Sequence, residues 1–428
     1  MKTRISVVVS LCVMLSLILT ACAPAPASTS APEKPAQGEV TTITFWNGFT
    51  ASDQPKLEAV VKRFNETHPD IQIAMDIMPW DTLNQKLLPS WKTGGDPDLA
   101  VIGYSLIPQY AESGLLLPLD DLYSGGLDPN KFSKASMDGM TYKGKKYGAP
   151  MISFGLMMYY NKDLFKAAGL DPEKPPATWE EWQDAILKLT KDENNDGTPE
   201  QYGLVWGDHG APNIWPALIW GNGGDFVSAD GTKSMLDDPK TIAAVQQWSD
   251  FLFISKRSPL GMSGVEADKL VISGKAAMEI SGPWMINAFK DAKLNFGLAP
   301  VPAGAAGAVT QGDGMYIVVN KATKHKEAAY EFLKFWEDEW AQVYWSSNVG
   351  FPPTLLPLAD NPEIQKNPFV QKFAQSGPTQ KMYLPGLIAY TKLNDDIIMP
   401  AILEVARGVK PADVAMKEAA AKMNELLK

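Results

Sequence analysis

The chain has 428 residues, enough for two or three domains and a large core. Apolar residues make up 45% and charged residues 21%, which excludes disordered and collagen-like classes. There are 39 Lys and Arg against 49 Asp and Glu, a formal charge of −10 and no basic run. A nucleic-acid binder needs a basic footprint to neutralise phosphates, so that class is excluded too. Thirteen tryptophans are more than a core of this size needs, and they call for another use.

The chain opens with an address. Lys2 and Arg4 precede an uncharged apolar run over residues 5–19, shorter than the roughly 20 residues of a spanning helix but suited to a secretory signal. It ends in Leu19-Thr20-Ala21-Cys22, small residues before a cysteine, which resembles the bacterial lipobox. That resemblance implies removal of residues 1–21 as a signal peptide and acylation of the Cys22 thiol. Cys12 leaves with the signal, so the mature chain has a single cysteine and no internal disulfide. Residues 22–39 are dominated by Ala, Pro, Ser and Thr, which cannot bury enough surface to offset ordering entropy, and they read as a flexible tether. The expectation is an extracytoplasmic body anchored to the cell membrane.

In the body, residues 42–46 alternate as a strand. A helix follows, with Ser52 or Asp53 near its cap, Pro55 in its first turn and Leu57, Val60, Val61 and Phe64 on one face. Residues 70–78 read as a strand, 83–91 as a helix and 98–103 as a strand, which predicts parallel βαβ units. A short buried strand over 156–160 starts a second series. Thr178-Trp-Glu-Glu181 is a capping box for a helix that turns Trp182, Ala185, Ile186 and Leu189 inward. Residues 202–206 read as a strand, 241–253 as a helix, 315–319 as a strand and 324–345 as one long helix. The last hundred residues read as mostly helical.

Taken together, several segments resemble the family 1 extracellular solute-binding proteins of ABC importers, of which maltose-binding protein is an example. They are Ile43-Thr-Phe-Trp46, Gly94-Gly-Asp-Pro-Asp98, Gly114-Leu-Leu-Leu-Pro118, Tyr142-Lys-Gly-Lys-Lys-Tyr-Gly-Ala-Pro150, Tyr159-Tyr-Asn-Lys-Asp-Leu-Phe165, Pro175-Pro-Ala-Thr-Trp179, Ser281-Gly-Pro-Trp284 and Ala328-Ala-Tyr-Glu-Phe332. The resemblance implies an α/β periplasmic-binding-protein fold: two α/β lobes joined by hinge strands, with a ligand cleft between them. It places the crossovers near 152–156, 298–302 and 348–354. The N-lobe is then 40–153 plus 301–349, and the C-lobe 155–299 plus 353–428. It also implies a carbohydrate ligand, permease subunits with their ATPase as partners, a monomer, no catalysis and no cofactor.

A sugar offers flat C–H faces that pack on aromatic rings and hydroxyls that need hydrogen-bond partners. Ligands of open α/β sheets lie at the carboxyl ends of strands, so candidates are sought just past each strand. The first strand ends in Trp46 and Asn47. The second leads into Trp80 and Asp81, of which Asp81 is the candidate, and the third into Tyr104. The first crossover contributes Ser153. The second lobe offers Trp206, Trp215 and Trp220, of which at least one belongs to its core. Trp284 closes the Ser-Gly-Pro-Trp motif, where the family commonly places a stacking aromatic. Asp313 and Phe351 flank the other crossovers. Trp179, Trp182, Trp248, Trp336 and Trp340 lie on helices and are assigned to the core.

Other signals are discounted. Asp192-Glu-Asn-Asn-Asp-Gly197 matches the first half of an EF-hand loop, but its twelfth position is Gly203 where a bidentate Glu is required. His68, His209 and His325 lack ligand spacing, so no metal site is expected. Two rival functions remain open. A secreted glycoside hydrolase would need two carboxylates flanking the bond, and no such pair is evident. A receptor for a phosphorylated polyol such as glycerol 3-phosphate would, by the resemblance, carry an Arg near Gly386-Leu387-Ile388, and none stands there.

Overall fold

Alternation of buried and open positions makes the first strand, β1 (Thr41–Asn47), in which Ile43, Phe45 and Asn47 face the core and Trp46 the other side. The computed structural model describes residues 40–50, 52–209 and 213–427. The segments expected to be a signal peptide, a lipidation site at Cys22 and a tether lie outside the described residues. Behind Asp53, with Pro55 in its first turn, α1 (Gln54–Thr67) buries the four residues expected of it. β2 (Ile71–Ile77), α2 (Trp80–Lys92) and β3 (Leu99–Gly103) complete the unit. β1 lies between β2 and β3 and is parallel to both, as the strand–helix–strand spacing predicts.

β4 (Ala149–Gly155) closes the first pass, and after Leu156 the chain enters a second sheet. There β5 (Met157–Asn161) is flanked by two antiparallel partners, β6 (Met278–Ser281) and β7 (Phe296–Ala299). The helices around this sheet include α3 (Trp179–Leu189), α4 (Trp215–Gly221), α5 (Pro239–Trp248) and α6 (Gly264–Ile272). The capping box on α3 is present: the Thr178 hydroxyl takes the Glu181 N–H, and the Glu181 carboxylate reaches back to the Thr178 N–H. Residues 202–206 do not form a continuous strand: Tyr202 bridges Ala276, just ahead of β6, and Val205 bridges Glu279 within it.

The return to the first sheet comes later than the sequence suggests. Ala303 still bridges Thr178, and the Ala306 N–H still donates to the Gly221 carbonyl (2.8 Å). Only with β8 (Thr310–Val319) does the chain rejoin the first sheet, antiparallel to β3 and β4. At this junction Gly304 is in such close approach to α4 that an added Cβ would lie 2.3 Å from the Gly221 carbonyl oxygen and 2.7 Å from the Trp179 ring. Gly304→Ala should therefore cost about 2–3 kcal/mol in urea unfolding, since a backbone neighbour cannot swing aside.

The long helix expected over 324–345 is two helices, α7 (Lys326–Trp336) and α8 (Glu339–Val349). Asp338 breaks it by capping α8, accepting the Ala341 N–H at 2.9 Å. α8 packs on α1 of the first lobe. Beyond it, β9 (Gln380–Met382) pairs in parallel with β8, so the segment assigned wholly to the C-lobe returns once to the first sheet. α9 (Met399–Ala406) and α10 (Ala412–Leu426) then pack on α5. The result is two lobes, each built on its own sheet, the first with parallel βαβ order, joined by β4–β5, β8 and the segment after α8.

Candidate functional site

Between the lobes lies a cleft of about 900 Å³. The first lobe supplies the loops past its strand ends: Gly48, Phe49 and Thr50 after β1, Trp80, Asp81 and Asn84 at the start of α2, and Ser105 and Gln109 after β3. The connecting strands supply a floor of Ile152 and Phe154 from β4 and Gln311, Asp313 and Met315 from β8. The second lobe supplies Asp208, His209, Asp268, Trp284 and Phe351, and the chain after β9 adds Tyr383, Tyr390, Asn394, Asp395 and Arg407.

Three half-buried aromatic rings stand in this cleft: Trp80, Trp284 and Tyr390. Each is braced by a buried ring. Trp80 meets Phe49 edge-on (5.3 Å, 78°). Trp284 meets Phe154 edge-on (5.2 Å, 84°) and lies 6.5 Å from Phe351, which itself stacks on Trp345 (6.1 Å, 5°). Tyr390 meets Tyr383 edge-on (5.9 Å, 80°). Such bracing fixes the rotamer of each platform before any ligand arrives.

Of the residues singled out in the sequence, Asp81, Trp284, Asp313 and Phe351 come together in the cleft. The others lie off its lining, and most position something that is on it. Trp46 faces the far side of the sheet and donates its indole N–H to Asp76 on β2 (3.1 Å). Asn47 is buried, and its side-chain oxygen takes the Phe49 N–H (3.1 Å), which shapes the Gly48–Thr50 loop. The Tyr104 hydroxyl donates to the Tyr383 carbonyl (2.6 Å) and accepts the Tyr383 N–H (2.9 Å), clipping the returning chain to the end of β3. Ser153 sits inside β4 opposite Gly314. Trp206 is buried and donates to Asp208 (3.2 Å), Trp215 is fully enclosed, and Trp220 donates to Asp225 (2.8 Å), which pairs with Lys381 of β9.

Trp80, Tyr390, Gln311 and Asp395 are cleft residues that the sequence reading did not select. Trp80 directly precedes Asp81, so strand-end logic reached its position. Tyr390 follows the Gly386-Leu387 segment by three residues, and long-range contacts place it: its ring meets Tyr383, which Tyr104 clips, and its hydroxyl bonds Ser105. Trp182, Trp248 and Trp336 are core, whereas Trp179 and Trp340 are half-buried. The Asp192–Gly197 segment is a turn tied by its own side chains, with the Gly197 N–H on Asp192 and the Asp196 N–H on Asn194 (both 2.8 Å). Among the described residues no His, Cys, Asp and Glu cluster could hold a metal ion.

The electrostatics are one-sided. Six aspartates line the cleft (Asp53, Asp81, Asp208, Asp268, Asp313 and Asp395), against one arginine, Arg407, and one histidine, His209. Burial pushes Asp313 up to about 7, partly offset by the Gly314 N–H on its carboxylate (2.7 Å). Burial also raises Asp268 to about 6 where it meets the buried Glu279, which is raised well above the carboxylate range by its own burial and by the Asp268 charge. Asp208 and Asp395 are raised by burial too, offset by N–H donors from Gly261 and Trp206 and from Asn394 respectively.

Two lobes, strand-end loops facing across a hinge and a cleft lined by aromatics and carboxylates define a ligand-capture protein. The model for bacterial extracellular solute-binding proteins matches residues 50–343, and the chain belongs to that family. A Brucella abortus protein with only a generic binding-protein name is 28% identical over 386 residues, covering 89% of this chain and 92% of its own. The maltotriose-binding protein of Pyrococcus abyssi is 25% identical over 348 residues, covering 80% of this chain and 72% of its own. Among solved structures, the GacH receptor of Streptomyces glaucescens, determined unliganded and with acarbose and an acarbose homolog, has a TM-score of 0.81 at 25% identity. That match covers 91% of this chain and 98% of that one.

Proposed function

We propose that the protein is the substrate-binding subunit of an ABC importer, capturing a saccharide between its lobes and delivering it to a membrane permease driven by a separate ATPase. The supporting observation is the trio of braced, half-buried rings, Trp80 on one lobe, Trp284 on the other and Tyr390 on the returning chain, with carboxylate and amide groups around them. Rings from both sides can sandwich a pyranose only when the lobes close, so ligand binding itself biases the closed form. Acylation of Cys22 would keep the receptor near its permease. A phosphorylated polyol is disfavoured, because six aspartates face one arginine where a phosphate would need convergent cations. The named cleft side chains are proposed ligand contacts, with Asp81, Trp284 and Asp313 foremost.

The test is tryptophan fluorescence and thermal unfolding of residues 40–428 against neutral sugars, oligosaccharides, amino sugars and sn-glycerol 3-phosphate. A saccharide at 100 times its dissociation constant should stabilise the fold by about 2.7 kcal/mol. A response confined to glycerol 3-phosphate, or to no saccharide at all, would overturn the reading.

A further inference from the structure

Five of the cleft aspartates, Asp81, Asp208, Asp268, Asp313 and Asp395, take part in none of the ion pairs among the described residues. Elsewhere the same chain pairs its carboxylates with lysines freely, so the imbalance is confined to the place where a ligand would sit. The deepest of the five is Asp313 on β8. Its side chain takes one hydrogen bond, from the Gly314 N–H at 2.7 Å; its charge pushes up the neighbouring phenols of Tyr104, Tyr316 and Tyr390, and among the described residues no cation acts on it. Two residues along the same strand, Gln311 lines the cleft at 5% exposure, and its buried side-chain oxygen has no hydrogen-bond partner. A buried acceptor without a donor is costly to leave so, and the two acceptors together ask the ligand for N–H or O–H donors.

A neutral sugar could supply donors but not charge. Its hydroxyls can hydrogen-bond the carboxylate, but closing the lobes over it would strip water from that group and leave its charge without a counter-charge. A protonated amine supplies both, and its C–H faces still pack on Trp80, Trp284 and Tyr390. We propose that the ligand is a saccharide bearing a protonated amino group, seated with its ammonium against Asp313 and Gln311 at the floor of the cleft. This rests on the saccharide reading above and specifies its class. Arg407, exposed at the rim, does not reach the count of carboxylates it would have to offset.

The experiment is calorimetric titration with matched sets at pH 7.5: glucosamine, galactosamine and β-1,4-linked glucosamine oligomers, each against its neutral and its N-acetylated counterpart. The amine member of the binding set should be at least roughly tenfold tighter than its neutral partner, a ratio typical of a desolvated charge contact. The neutral partner, with a hydroxyl in place of the amine, keeps the shape without the charge and should lose the advantage, and the N-acetylated partner, which also carries an added acetyl group, should bind no better. Raising the salt from 50 to 500 mM should shrink the advantage only in part, because a buried contact is poorly screened. In D313N the two affinities should converge to within about threefold. Equal or tighter binding of the neutral or acetylated member by the wild type would overturn the amine assignment and leave the saccharide reading standing. Silence of every saccharide would overturn both. Should D313N fail to fold, the comparison of amine with hydroxyl on the wild type still decides.

Discussion

Trp284→Ala should weaken saccharide binding by about 2–3 kcal/mol, roughly 30- to 150-fold, while the unliganded fold loses only about 1–2 kcal/mol. The indole is half-buried, so truncation removes little core, yet it deletes the platform that Phe154 and Phe351 hold in place. Its backbone carbonyl also takes the Ser52 hydroxyl across the cleft at 3.4 Å, a contact the substitution leaves available. Gly282 gives an independent handle: an added Cβ would stand 1.9 Å from the Trp284 ring, so Gly282→Ala must displace the platform without removing it and should cost affinity as well. Trp215→Ala is the contrast. Trp215 is fully enclosed and packs with Trp206 and Phe253, so its loss should cost about 3–5 kcal/mol of stability. Where that variant folds, its affinity should stay near the wild type. Fluorescence titration and urea unfolding of the three variants separate the roles, and a Trp284→Ala protein that binds within threefold of wild type would remove Trp284 from the site.

The contrast also shows what the sequence could and could not tell. Strands and amphipathic helices of the first lobe are local patterns, and Leu57, Val60, Val61 and Phe64 announce the buried face of α1 by spacing alone. The rule that ligands gather past strand ends located the right loops, because βαβ topology forces those ends to one edge. It could not say which side chain of each loop turns inward. Trp46 and Trp80 are both tryptophans just beyond or at a strand end, but Trp46 still lies within β1 and takes the face set by the pleat, whereas Trp80 opens α2 and projects over Phe49. Trp206, Trp215 and Trp220 look in sequence like platforms, and in the fold two of them orient aspartates through their indole N–H groups. Tyr390 and Asp395 reach the cleft through β9, a three-residue strand whose pairing with β8 spans some seventy positions and leaves no local signal.

Without ligand, the protein should be more stable at pH 5 than at pH 8, and Asp313→Asn should remove part of that slope. Asp313 and Asp268 are raised by burial to about 7 and about 6, and Glu279 and Glu337 are raised further by the same cause. Each therefore holds its proton more tightly in the folded state than in the unfolded one. Their contribution is fully present below the ordinary carboxylate range and is lost as pH rises through the folded values. A shift from 3.8 to about 7 corresponds to an upper limit on the order of 4 kcal/mol. Asp313 is partly open to the cleft, where water screens it, so about 2 kcal/mol is the expected gain of Asp313→Asn at pH 8, or about 2–3 °C for a body of this length. The groups that face Asp313 are the phenols of Tyr104, Tyr316 and Tyr390, all raised by burial and neutral throughout this window, so they add no slope of their own. Calorimetric unfolding at pH 5, 6.5 and 8 reads the effect directly, and parallel curves for wild type and Asp313→Asn would contradict it. A carboxylate that burdens the empty protein at neutral pH, and whose removal stabilises it, is the signature of a group kept for its ligand. The same substitution that steadies the empty cleft is expected to remove its preference for a cationic sugar.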